Sequence, residues 1–160
     1  MKKFLACIFT IILCSTMLSI PNTLAATLYL DNDDPSGKTW SDGTWGYAKS
    51  NTGYRGDHRI AYGKKGHVYH WGFNFPGSGK KKIYYAYLSN AAFTNTKAVY
   101  YASNLDGTEM YTLGEINQNK AKPGWVKINS AGYTGANLGL AVSTNGSTVG
   151  TGADGAKVEY

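Results

Sequence analysis

The chain has 160 residues, 20 of them glycine, 13 tyrosine and four tryptophan, with 16 basic against 10 acidic side chains and a formal charge of +6. That length suits one compact domain. The basic residues fall in turn-like stretches (Lys64-Lys65, Lys80-Lys81-Lys82, Lys120, Lys122) instead of gathering on one helix or stripe, so a nucleic-acid partner is excluded.

The first 25 residues read as an export signal. Lys2 and Lys3 open it, Phe4 to Ile20 is apolar, Pro21 and Asn22 break the run, and Thr23-Leu24-Ala25 supplies small residues for cleavage. The run is short for a membrane span. The expectation is therefore a cut after Ala25 and a mature chain, 26–160, without a transmembrane segment, secreted and extracellular or associated with the cell wall. Cys7 and Cys14 leave with the signal, so the mature chain has no disulfide. Lys2 and Lys3 leave too, and the formal charge falls from +6 to +4.

The remainder is rich in Gly, Tyr, Thr and Asn, which favours strands and turns over helices. Residues 28–30 form a first short strand that enters an acidic turn, Asp31-Asn32-Asp33-Asp34-Pro35. Residues 58–62 form the next predicted strand. In 67–75 the residues alternate, with Tyr69, Trp71, Phe73 and Phe75 on one face and Val68, His70, Gly72 and Asn74 on the other, as in a half-buried strand. His67 and His70 lie on opposite faces of it, which argues against a shared metal site. Pro76-Gly77-Ser78-Gly79 turns the chain into 82–88, where Tyr84, Ala86 and Leu88 share a face. Further strands are predicted at 98–102, 109–113, 124–128, 138–143 and 156–160. Asn145-Gly146 is the strongest hairpin signal. Turn signals every 8–12 residues or so point to an all-β sandwich or barrel. The first and last strands are expected side by side, bringing Asp31 and Asp154 to one end.

Several motifs occur in a telling order. Leu30-Asp31-Asn32-Asp33-Asp34-Pro35 comes first, then Gly43-Thr44-Trp45, then Tyr54-Arg55-Gly56-Asp57-His58-Arg59. A strand around Trp71 follows, then Ile116-Asn117-Gln118, Gly124-Trp125-Val126 and Gly152-Ala153-Asp154-Gly155-Ala156-Lys157-Val158. In this order they resemble the golvesin and xanthan-lyase-type carbohydrate-binding-like domain, an accessory module of secreted bacterial proteins. His58 departs from the tyrosine usual in that pattern, and Gly155 and Lys157 from its alanine and arginine. The resemblance implies an all-β, jelly-roll-like β-sandwich of two antiparallel sheets. It also implies non-catalytic binding of a carbohydrate or cell-envelope polymer. Trp45, Arg59, Trp71, Gln118 and Trp125 take structural positions in the motif.

The residues themselves offer three chemistries. Asp31, Asp33, Asp34 and Asp154 supply carboxylates for Ca²⁺, or else accept backbone N–H groups and pair with Arg55 or Arg59. Trp40, Tyr47, Tyr54, Tyr100 and Tyr101 are candidates for stacking on sugar faces. Asp106, Glu109 and Glu115 are the acids from which a glycosidase pair would come. The alternative to glycan binding is a secreted structural or protein-interaction role, adhesin- or inhibitor-like, with a polysaccharide-degrading enzyme as the third reading.

Overall fold

The computed structural model describes residues 26–34, 38–63, 66–75, 79–89 and 91–160. Residues 1–25, where the export signal is expected, and residues 35–37, 64–65, 76–78 and 90 lie outside the described residues. Among the described residues, twelve strands account for nearly all the regular structure: β1 (Thr27–Leu30), β2 (Thr39–Asp42), β3 (Gly46–Lys49), β4 (Asp57–Ala61), β5 (Val68–Gly72), β6 (Ile83–Leu88), β7 (Ala98–Ser103), β8 (Met110–Ile116), β9 (Gly124–Lys127), β10 (Gly139–Ser143), β11 (Thr151–Ala153) and β12 (Ala156–Glu159). One 3₁₀ turn, Tyr54–Gly56, precedes β4.

Every pairing is antiparallel. A four-stranded sheet has the order β1-β12-β6-β9, a five-stranded sheet β2-β5-β10-β7-β8, and a three-stranded sheet β11-β4-β3. Only Asp154 and Gly155 separate β11 from β12, and the Tyr87 N–H donates to Gly155 O at 2.8 Å. The three- and four-stranded sheets are thus joined through the last strand. First and last strands lie side by side as expected, with Leu30 opposite Ala156.

Alternation fixes which faces meet. Tyr84, Ala86 and Leu88 of β6 and Ala156 and Val158 of β12 point inward, against Tyr69, Trp71, Tyr100, Leu140 and Val142 of the five-stranded sheet. Strand β5 departs from its predicted half-buried pattern, since all five of its residues are buried. Its outer face is covered: Trp40 stacks on His70 at 4.7 Å, and the turn around Leu105 and Gly107 closes over Gly72 and His70.

The sequence reading missed β2, β3 and β11. Each is three or four residues long, and β2 and β3 flank the turn-like Gly43-Thr44-Trp45. Their pairing to β5 and β4 supplies order that their own residues do not signal. The Asn145-Gly146 turn forms with both φ positive and is closed by Ser147 N–H to Thr144 O at 2.9 Å. It does not make a hairpin, because β10 pairs with β5 and β7 while β11 pairs with β4.

Lys82, expected in a solvated turn, is fully buried. Its ammonium donates to Gly135 O at 2.7 Å and Lys80 O at 3.3 Å and lies over the Phe75 and Tyr133 rings. Two carbonyls and two π faces replace its water shell.

Candidate functional site

The acidic turn after β1 folds back on itself. The Asn32 N–H donates to Asp31 Oδ1 at 2.9 Å, and the Asn32 side-chain amide reaches Asp57 Oδ1 at 2.6 Å and Asp31 Oδ1 at 3.3 Å. The Tyr69 hydroxyl donates to Asn32 O, and the Tyr47 hydroxyl to Asp57 Oδ2 at 3.4 Å. Asp57 is delivered there by the Tyr54–Gly56 turn, in which Arg55 has φ 60° and Gly56 φ 102°. A left-handed arginine is uncommon and costs roughly 1 kcal/mol, so the turn stores some strain to place the start of β4 beneath Asn32.

Beside this turn opens a polar cleft of about 310 Å³, walled by Asn32, Asp33 and Asp34 from the turn, Thr39, Trp40 and Ser41 from β2, Trp45, Arg59 from β4 and Tyr69 from β5. The order of the chain explains the grouping. Strand β2 runs along the edge of the five-stranded sheet beside β5, while Trp45, just ahead of β3, and Arg59 of β4 come from the other side. Trp45 meets Tyr69 edge-on at 5.3 Å, and the Arg59 guanidinium lies over the Tyr47 ring at 4.9 Å. Three residues of the wall each keep a covered polar atom without a partner: Asn32 Oδ1, Trp45 Nε1 and Arg59 Nε. Such groups are rare in a settled fold. The cleft therefore holds more hydrogen-bonding capacity than the chain itself uses.

The predicted sugar-stacking residues separate on inspection. Trp40 lines the cleft, and Tyr47 stands next to it, half exposed, under Arg59. Tyr54 belongs to another group, packed with Trp125 at 5.1 Å and Tyr87 at 5.6 Å. Tyr101 is half-buried in β7, opposite Thr112 beside a bulge. Tyr100 is a correction: it is 1% exposed in the core, where its hydroxyl oxygen accepts from Gln118 Nε2 at 2.9 Å, and no ligand can stack on it.

Of the motif residues, Trp71 is buried, on the core face its strand pattern predicts, and Gln118 is buried too. Trp125 is half-buried in the Tyr29, Tyr54 and Tyr87 cluster. Trp45 and Arg59 pack, and also wall the cleft. Sequence reasoning placed them as framework because nothing in Gly43-Thr44-Trp45 announces a strand pair on either side of it.

The four predicted metal acids also divide. Asp33 and Asp31 stay together, joined by Asp57, which the sequence reading left out. Asp34 turns toward Arg55, 4.0 Å away. Asp154 accepts from Ser89 Oγ and from Tyr54 N–H at 2.9 Å. Burial pushes the Asp31 carboxyl up to about 6, with Asp33 and Asp57 adding to the rise. Burial pushes Asp154 up to about 7, against the pull of its two hydrogen bonds, and Asp31 and Asp57 add to the rise.

The raised Asp154 value has a consequence for stability. The native state holds this proton to higher pH than the unfolded chain does, so the associated stability is complete below the unfolded value of 3.8 and is lost as pH rises through about 7. In chelator, the wild type should lose stability relative to Asp154→Asn between pH 4 and pH 7, read from denaturant midpoints. Parallel curves for the two proteins would contradict it.

A larger hollow, about 440 Å³, lies between the β8 edge and residues 128–134. Its walls include the stacked Tyr111 and Tyr133 pair, with ring centroids 5.0 Å apart, but no charged side chain. Asp33, Asp34 and three of the covered polar atoms without a partner lie at the smaller cleft.

No family model matches the chain, and no curated protein matches it. Solved structures do. A Paenibacillus xanthan lyase aligns over 84% of this chain with TM-score 0.67 and 19% identity. The C-terminal CBM6 of a Zobellia galactanivorans laminarinase aligns over 84% of this chain and all of its own length, with TM-score 0.48 and 14% identity. The chain spans only 13% of the xanthan lyase. At these identities the likeness is one of fold: the antiparallel β-sandwich of this chain is shared with part of that lyase.

Proposed function

We propose that this protein is an exported, non-catalytic module that binds a polysaccharide, and that it is a relative of the golvesin and xanthan-lyase-type carbohydrate-binding-like domains. The observation that carries the reading is the cleft between the acidic turn, β2 and β4. Aromatic walls from Trp40, Trp45 and Tyr69 stand beside carboxylates, hydroxyls and a guanidinium. Sugars combine C–H faces with rows of hydroxyls, and this mixture answers both at once. Aspartates and Arg59 together suit hydroxyl pairs, which accept from the guanidinium and donate to the carboxylates. The order of motifs along the chain and the fold shared with part of a xanthan lyase support the same reading.

The test is affinity electrophoresis of the purified protein through gels cast with single polysaccharides of the bacterial envelope and of plant and algal walls. Retardation by at least one, relieved by its soluble oligosaccharide, is expected. Unretarded migration through the whole panel would remove the reading and favour a protein partner.

A further inference from the structure

We propose that Asp31, Asp33 and Asp57, with the side-chain oxygen of Asn32, hold one calcium-type cation that ties the turn after β1 to the start of β4.

The geometry comes first. Each of the three aspartates offers a carboxylate oxygen, and these oxygens lie within 4.8 Å of one another. Calcium binds oxygen at about 2.3–2.6 Å, so two ligands across one ion stand up to about 5 Å apart. One ion can therefore reach all three without rearrangement of the backbone.

Asn32 supplies the second, independent observation. It is 1% exposed, and its Oδ1 has no hydrogen-bond partner. Its amide is nonetheless seated among the acids, with Nδ2 touching Asp57 at 2.6 Å and Asp31 at 3.3 Å. Half a turn of the amide exchanges the nitrogen for the oxygen and brings the unused acceptor to the position facing both carboxylates. Without a cation that orientation is repulsive; with one it completes a ligand set of four protein oxygens.

Charge balance points the same way. Asp31 is 3% exposed and Asp57 is 8% exposed, yet among the described residues neither they nor Asp33 has an ion-pair partner within 4.0 Å. Arg55 faces Asp34 instead, at the limit of ion-pair distance. Buried carboxylates without a counter-charge are costly, and a divalent ion supplies that charge directly. A donor set made only of oxygen favours a hard cation and disfavours zinc or copper. This set differs from the four acids adjacent or symmetric in sequence: Asp57 enters because the Tyr54–Gly56 turn presents it, and Asp154 drops out because Ser89 and Tyr54 engage it.

Asn32 and Asp33 also wall the cleft, so the test uses the metal alone, with no polysaccharide present. Chelator-stripped protein is titrated with CaCl₂ by calorimetry and thermal melts, and with TbCl₃ by luminescence excited through tyrosine. Tyr47, whose hydroxyl touches Asp57, is the antenna. Saturable binding of about one ion and a rise in melting temperature of several degrees are expected. Asp33→Asn should weaken calcium about tenfold or more and abolish the terbium signal at equal concentration. Asp33 is exposed and makes no hydrogen bond among the described residues, so that variant should melt within about 2 °C of the chelated wild type. Asp57→Asn should weaken calcium similarly. No saturable response in the wild type, or an Asp33→Asn variant with unchanged affinity, overturns the proposal. An equal, weak response to magnesium and calcium also overturns it.

Discussion

Replacing Gln118 with leucine is expected to cost about 3–5 kcal/mol of folding stability, a drop in melting temperature of roughly 10–20 °C for a chain of this size. Gln118 follows β8 and acts as a surrogate strand partner for β11. Its Oε1 accepts the Gly152 N–H at 2.9 Å, and its Nε2 donates to Gly152 O and to the Tyr100 hydroxyl, both at 2.9 Å. All of this is buried; Gln118 is 3% exposed. The staple is needed because β11 is three residues long, and its centre, Gly152, lies so close to the Phe93 ring that even a Cβ would stand 2.3 Å from it. Leucine conserves volume but strands a buried N–H, a C=O and a hydroxyl together, and each uncompensated group costs about 1–3 kcal/mol. Gln118→Glu should recover part of the loss as pH falls toward about 4, where a protonated carboxyl regains one donor. A leucine variant that melts within about 3 °C of the wild type would show that Gly152 finds other partners.

The second large effect is on binding. Trp40→Ala and Arg59→Ala are each expected to weaken polysaccharide binding by about 30-fold or more, the cost of losing a central aromatic or arginine contact. Trp40 presents one ring face to His70, with the planes 2° apart, and forms part of the cleft wall. Arg59 is half-buried, fixed over Tyr47, and carries the only cationic group of that wall among the described residues. Tyr111→Ala, in the uncharged hollow beside β8, should leave binding within about twofold, because single truncations away from a binding centre are near neutral. If Tyr111→Ala removes binding while Trp40→Ala keeps it, the larger hollow is the site.

Much of the scaffold was legible in the sequence, for reasons that can be named. Tyr84-Ala86-Leu88 and Ala156-Val158 alternate because one face of each strand is buried and the other only partly covered, and that period is visible without any tertiary information. The adjacency of β1 and β12 followed from two acidic stretches at opposite ends of the chain. Strand β5 was read as half-buried because sequence does not show that Trp40 and the Leu105 turn cover its second face. Lys82 looked like one lysine of a solvated run, and only the arrival of Gly135 O and the Tyr133 ring makes its burial tolerable.

The candidate site was less legible. Trp40 and Asp33 were identified by residue type, yet Trp45 and Arg59 become cleft walls only once β3 pairs with β4. Asp57 was passed over because it lies 24 positions beyond Asp33 in the chain, and the left-handed turn that aims it has no signal beyond Arg55-Gly56. Tyr100 was misplaced because two adjacent tyrosines in a strand point to opposite faces, and composition does not say which is inward.

The measurement that tests the central claim most directly is the set of four tryptophan indole N–H signals in a nitrogen–proton correlation spectrum, followed while an oligosaccharide of a retained polysaccharide is added. Trp40 and Trp45 should shift together in a saturable way, since both wall the cleft. Trp71, 1% exposed with its N–H donated to Asp154 O, should stay in place. Movement of Trp125 alone, with Trp40 and Trp45 unmoved, would contradict the account and assign binding to the Tyr29–Tyr54–Tyr87 aromatic group.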